Sequence, residues 1–185
     1  MVKSEDIYFY LKKYWGYDQF RPLQEEIILS VLDNKDTLAL LPTGGGKSIC
    51  FQIPGLVTGG TCLVISPLIA LMNDQVQNLR NKGISAVAIT SAMTLKEIDT
   101  ALNNAAYGHV QFLYVSPERI ENETFRQQLS YLPIGLIAVD EAHCISQWGY
   151  DFRPSYLNIA ALRAYFPTVN MIAVTASATE EVVEF

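Results

Sequence analysis

Half of the 185 residues are hydrophobic, and 19 acids against 13 bases leave a net charge of −6. That balance fits one α/β domain with a real core and argues against a strong non-specific nucleic-acid binder, which needs clustered Lys and Arg; a local basic groove stays open. No apolar run is long enough to span a bilayer, and an N-terminus with Lys3, Glu5 and Asp6 has no signal-peptide segment, so a soluble, intracellular, cytoplasmic protein with no membrane partner is expected. Cys50, Cys62 and Cys144 are odd in number and widely spaced, which fits buried thiols rather than a disulfide framework or a zinc site.

In chain order, apolar residues from Ser4 to Tyr14 recur at helical spacing until Gly16 breaks the pattern. A second helix is predicted from Pro22, a favoured first position, through Leu23, Ile27, Ile28, Val31 and Leu32. Asp36–Leu41 reads as a strand, and a helix is predicted from Lys47 onward. Gly59 and Gly60 end that unit, and Thr61–Ile65 is a continuous apolar run suited to a strand buried on both faces. Ser66–Pro67 opens a helix that closes near Gly83, Ser85–Ile89 supplies a third strand, and Thr94 with Glu97 forms a capping box for a helix to Ala106. Gln111–Val115, Leu136–Val139 and Met171–Val174 add three strands, with a helix starting near Pro154. The alternation predicts an α/β domain with a mostly parallel central sheet and helices on both faces.

Two motifs carry chemistry. Thr43, Gly44, Gly45, Gly46, Lys47 and Ser48 sit at a strand-to-helix turn, where glycines let consecutive N–H groups converge on phosphate oxygens and a helix N-terminus adds positive potential. Lys47 is placed to reach the β- and γ-phosphates of ATP, and Ser48 to ligate Mg²⁺. Leu41 stands where the usual pattern has its first glycine. Asp140-Glu141-Ala142-His143 follows the strand ending at Val139, the position of a Walker B motif: Asp140 for Mg²⁺ and Glu141 for polarising the attacking water. His143 is read either as a turn histidine or as a relay from the γ-phosphate site.

With these motifs in this order, the chain resembles the DExH helicases of superfamily two, and over nearly its whole length the RecQ family of DNA helicases. The resemblance implies a RecA-like P-loop NTPase domain over residues 1–185, with a short helical adenine-recognition segment at about 1–33 and the P-loop sheet domain at about 34–185. Tyr14-Trp15-Gly16-Tyr17-Asp18-Gln19-Phe20-Arg21-Pro22-Leu23-Gln24 resembles the family's adenine motif: Gln24 would pair with the base, and Tyr17 and Arg21 would stack on it. Leu23 replaces the glycine often found before that glutamine, and Phe20 is read as core. The stretch from His143 to Pro154 resembles the family's aromatic loop, so Trp148 and Phe152 are candidate platforms for unpaired bases and Arg153 a phosphate or base contact. Those aromatics alternatively fold back on the core. Ser66 and Arg119, in segments after two strands, resemble backbone contacts to a single strand, or are ordinary strand-to-helix turns. Thr175-Ala176-Ser177-Ala178-Thr179 resembles the segment linking hydrolysis to domain motion.

The resemblance implies the first motor lobe of an ATP-dependent 3'-to-5' DNA helicase in recombination and repair. ATP and Mg²⁺ would be its cofactors, single-stranded DNA and duplex junctions its partners, and a second RecA-like domain of the same chain the missing wall of the site. That second domain is expected to be absent from these 185 residues, so slow hydrolysis and no unwinding are expected of them. The alternatives are a DExH RNA helicase lobe and a non-catalytic nucleotide-binding module.

Overall fold

Fully apolar strands are stable where both sheet faces are covered, and the computed structural model, which describes residues 4–42, 46–142 and 154–176, has that arrangement. Six strands, β1 (Thr37–Leu40), β2 (Thr61–Ile65), β3 (Ala86–Ile89), β4 (Phe112–Val115), β5 (Ile134–Val139) and β6 (Met171–Thr175), form one parallel sheet in the order β1-β6-β5-β2-β4-β3. The helices are α1 (Ser4–Tyr10), continued by a wider π-helical turn at Leu11–Trp15, α2 (Gln24–Leu32), α3 (Ile49–Thr58), α4 (Ile69–Asn81), α5 (Leu95–Ala106), α6 (Pro117–Glu121), α7 (Glu123–Leu129), and α8 (Leu162–Tyr165) after a 3-10 segment at Pro154–Ala161.

Alternation along the strands divides the core in two. Cys62 and Val64 of β2, Phe112 and Tyr114 of β4, and Leu136 and Ala138 of β5 meet Phe51 of α3 and Met72, Val76 and Leu79 of α4. Leu63, Leu113 and Ile137 point the other way, toward Ile98 and Leu102 of α5, Phe125 and Leu129 of α7, and Leu162 of α8. A smaller cluster of Ile7, Leu11, Ile28, Ile49 and Ile53 docks α1 and α2 onto α3. Burial pushes the Cys50 thiol up to about 12 and raises Cys62 too, as expected of inert core cysteines; Cys144 lies outside the described residues.

The predicted strands are all present, and Thr94 and Glu97 form the predicted capping box. Beyond shifts of one residue at strand ends, four boundaries differ. The second helix starts at Gln24 rather than Pro22, because Leu23 has φ 72°, a left-handed backbone that no helical turn contains. The helix after Ser66–Pro67 starts at Ile69, behind an extended Leu68. Lys47 and Ser48 form a turn ahead of α3, and β5 begins at Ile134. The short α7 was not anticipated; its N-cap is Asn122, whose side chain accepts from the Phe125 N–H at 3.0 Å. Among the described residues no helix is long and apolar enough to cross a membrane.

Gly55 sets how closely α3 approaches the sheet. A Cβ there would stand 2.9 Å from Phe112 Cε1 and 3.0 Å from Cys62 Cβ, both residues being fully buried. In an exposed helix Gly→Ala gains up to about 1 kcal/mol, but overpacking a filled core costs about 1–3 kcal/mol. Gly55→Ala is therefore expected to lower the urea midpoint, and an unchanged or raised midpoint would show that α3 has room to move outward.

Candidate nucleotide-binding site

Both motif-bearing loops leave the sheet at the same edge, since all six strands run parallel. β1 leads into the P-loop, β5 into Asp140, and β6 lies between them. Two strand spacings, roughly 10 Å, therefore separate the two loops at the sheet edge. The gap is closed by one ion pair, Lys47 Nζ to Glu141 Oε1 at 3.2 Å, with side chains 19% and 24% exposed. Leu41, the departure from the glycine pattern, is a core residue: it is buried, and its N–H donates to the Thr175 carbonyl at 3.1 Å, carrying the β1–β6 ladder one step further.

On the acidic side, the Asp140 N–H donates to the Ile65 carbonyl at 2.9 Å, which anchors the turn to the neighbouring strand. Glu141 then adopts φ 54°, uncommon for a residue with a side chain, and its N–H donates to Asp140 Oδ1 at 2.9 Å. Asp140 is buried, and desolvation, with the adjoining Glu141 charge, pushes its carboxyl up to about 6 against the opposing pull of Lys47.

The adenine segment is held against the same loop. The π-helical turn ends at Gly16, with φ 75°, and Phe20 packs edge-on against Tyr8 with ring centroids 4.9 Å apart, in the core role read from sequence. Tyr17 is half exposed, and together with Arg21, Gln24, Gly46 and Ser48 it lines a cleft of about 300 Å³ that Trp15, Gln19 and Ile49 complete. Gln24 is buried; its Oε1 accepts from the Arg21 N–H at 2.9 Å and its Nε2 donates to the Gly46 carbonyl at 3.1 Å. Gly46 has φ 76°, and a Cβ on it would lie 2.3 Å from Gln24 Nε2, so this contact requires glycine. Leu23 takes the left-handed conformation that a glycine would adopt freely, which keeps the turn into α2 despite the replacement.

The structure thus gathers Tyr17, Arg21, Gln24, Gly46, Lys47, Ser48, Asp140 and Glu141 along one edge. Thr43, Gly44, Gly45, His143, Trp148, Phe152 and Arg153 lie outside the described residues. The two expected strand-backbone contacts fare differently. Arg119 lines a separate cleft of about 830 Å³ and donates to the Thr90 carbonyl at 3.2 Å. Ser66, at the end of β2, is 1% exposed with its N–H given to the Val115 carbonyl, and Pro67 and Ile69 of the same segment line that cleft. Three residues went unread in the sequence. Gln52 and Gln75 on core-facing helices and Tyr114 in an apolar strand join beneath Asp140, and their signal was polarity at positions where the periodicity calls for hydrocarbon.

The residues present fit a small hard cation. Ser48 and Asp140 offer oxygen donors, and among the described residues there is no cluster of three or more His, Cys, Asp or Glu that would form an all-protein cage. Mg²⁺ characteristically takes one or two protein oxygens beside substrate phosphates and water.

The metal-free site is electrostatically costly, which is testable. The folded carboxyl of Asp140 titrates above its ordinary value of 3.8, so its contribution is most favourable below that value and is lost as pH rises through about 6. At pH 8 the buried charge costs on the order of 3 kcal/mol. Asp140→Asn in EDTA should therefore raise the melting temperature by several degrees at pH 8, by about half as much at pH 5 and by little at pH 4. An equal effect at all three values would place the cost elsewhere.

Residues 21–185 match the family described as DEAD/DEAH box helicase. The chain is 48% identical over 168 residues to the ATP-dependent DNA helicase RecQ of Haemophilus influenzae, covering 91% of this chain and 27% of that protein. To the RecQ of Bacillus subtilis it is 48% identical over 174 residues, covering 93% and 29%. It thus spans a little over a quarter of the length of these relatives. The Pyrococcus furiosus Hef helicase domain superposes with a TM-score of 0.67 at 24% identity, over 89% of this chain and 36% of that one, a likeness of fold. The chain belongs to the DEAD/DEAH box helicase family, and its sequence is similar to that of RecQ helicases.

Proposed function

We propose that this chain is the ATP-binding, DNA-sensing first motor lobe of a RecQ-type 3'-to-5' DNA helicase acting in recombination and repair, completed by a second RecA-like domain. The observation that carries the reading is the Lys47–Glu141 pair, which joins the P-loop to the acidic turn across the sheet edge. In the structure the two charges satisfy each other. Phosphate oxygens entering the cradle give Lys47 stronger partners, and Glu141 is then left to accept a hydrogen bond, and a proton, from the attacking water. Mg²⁺, held by Ser48 and Asp140, would neutralise charge on the phosphate oxygens. Gln24 reads the base from the neighbouring cleft and would exchange its contacts with Arg21 and Gly46 for the adenine amino group and ring nitrogen. Arginines of the second domain would stabilise charge on the transferring group.

Calorimetry on the 185-residue chain tests the nucleotide part. A lost charge-assisted contact to phosphate is worth about 10- to 100-fold, so Lys47→Ala should weaken ATP binding by that factor, and Gln24→Ala should erase the preference for ATP over GTP. Undiminished affinity in the lysine variant would sink the assignment.

For the nucleic acid, the RecQ relatives are DNA helicases, and His143 to Pro154 would supply the stacking residues Trp148 and Phe152, with Arg153 and Arg119 toward phosphates. In the complete motor, Trp148→Ala is expected to leave basal ATPase within about twofold and to remove most of its stimulation by single-stranded DNA, since stacking is worth ~1–3 kcal/mol per base. Wild-type stimulation would reduce the loop to packing, and stimulation by RNA alone would favour an RNA motor.

A further inference from the structure

Beneath the acidic turn runs a largely buried chain of side chains that joins α3, β4 and α4 to Asp140. Tyr114, in the middle of β4, is fully buried, yet it carries a hydroxyl that needs partners. It has two: Gln52 Nε2 of α3 donates to it at 3.1 Å, and the hydroxyl donates to Gln75 Oε1 of α4 at 2.7 Å. With its oxygen committed to Tyr114, the Gln75 amide presents its N–H side elsewhere, and the Gln75 side chain hydrogen-bonds Asp140. The direction of every bond is thus determined: Gln52 gives to Tyr114, Tyr114 to Gln75, and Gln75 to the carboxylate.

We infer that Gln75, oriented by Tyr114 and Gln52, is a positioning residue that aims the Asp140 carboxylate at the metal position beside Ser48. The inference rests on the nucleotide-site reading above and extends it to residues that touch neither nucleotide nor metal. An apolar strand end would bury Asp140 with an unpaired oxygen free to rotate. The Gln75 N–H and the Glu141 N–H, at 2.9 Å on Oδ1, together restrict that rotation. Outer residues of this kind typically change metal affinity by about 10- to 100-fold. Ser48, Gln52 and Gln75 also line a common cleft of about 230 Å³, so two members of the network share a wall with the residue read as the second metal ligand.

The test is ATP binding to the 185-residue chain, measured by calorimetry with Mg²⁺ and with EDTA. The readout is the ratio of the two affinities, and circular dichroism melts serve as a folding control. Gln75 is only half-buried on α4, so Gln75→Leu leaves the core filled, whereas Tyr114→Phe removes only the hydroxyl. Gln75→Leu should lose about tenfold of the Mg²⁺-dependent gain, Tyr114→Phe a smaller part, and Gln52→Leu the least, with metal-free ATP affinity unchanged within about twofold in all three. A wild-type Mg²⁺ gain in Gln75→Leu overturns the inference, as does a parallel fall of metal-free affinity, which would make the network a prop for the P-loop instead. Lys47→Ala separates the two levels. If that variant binds ATP like wild type, the nucleotide-site reading fails; if it loses binding while Gln75→Leu keeps the gain, only the positioning role does.

Discussion

A parallel sheet covered by helices on both faces leaves polar chemistry one place to collect, the edge beyond the carboxyl ends of its strands. Burial along β2 is complete from Thr61 to Ile65, and the four residues of β4 are likewise buried, so a charge within those strands would be stranded in hydrocarbon. The candidate functional residues therefore follow the strand ends: Asp140 directly after Val139, and Lys47 and Ser48 beyond Leu40 and the buried Leu41. Packing of α3 sharpens the constraint. Gly55 lets that helix close on Phe112 and Cys62, which brings its N-terminal turn, with Lys47 and Ser48, to the sheet edge.

At that edge the structure holds conformations that isolated residues disfavour. Glu141 and Leu23 both occupy left-handed backbone, and Asp140 keeps a carboxylate where water is excluded. Such costs persist where surrounding contacts over-determine them, and they pre-set the geometry a ligand meets. Here the surrounding contacts are identifiable. The Asp140 N–H is fixed to Ile65, the Glu141 N–H to Asp140, and the Glu141 carboxylate to Lys47.

The segment before α2 and the glycine turn after β1 are also in direct contact. Gln24 touches the P-loop directly through the Gly46 carbonyl, and the φ of Gly46 and its missing Cβ make room for that contact. On the proposed reading, an adenine that drew the Gln24 amide away would release a carbonyl of the loop proposed to wrap the phosphates. The cluster of Ile7, Leu11, Ile28, Ile49 and Ile53 keeps α1 and α2 seated on α3 while that exchange occurs.

Much of this was legible in the chain because local rules carry it. Continuous apolar runs dictated strands buried on both faces, and Thr94 and Glu97 dictated a capping box, while glycines followed by Lys47 and Ser48 point to a phosphate turn. The acidic pair after Val139 was readable for the same reason, since a charge can follow a buried strand but not interrupt it. Other features depend on residues distant in sequence. Leu23 takes a glycine's conformation where α2 begins, and Ser66 is buried where its N–H meets Val115 on the adjacent strand. The pairing of Lys47 with Glu141 and the chain from Gln52 through Tyr114 and Gln75 to Asp140 follow from sheet order, which places β1 beside β6 and β2 beside β4. Periodicity gives each strand its faces but carries no information about its neighbours, so contacts made across strands and between helices belong to the tertiary structure alone.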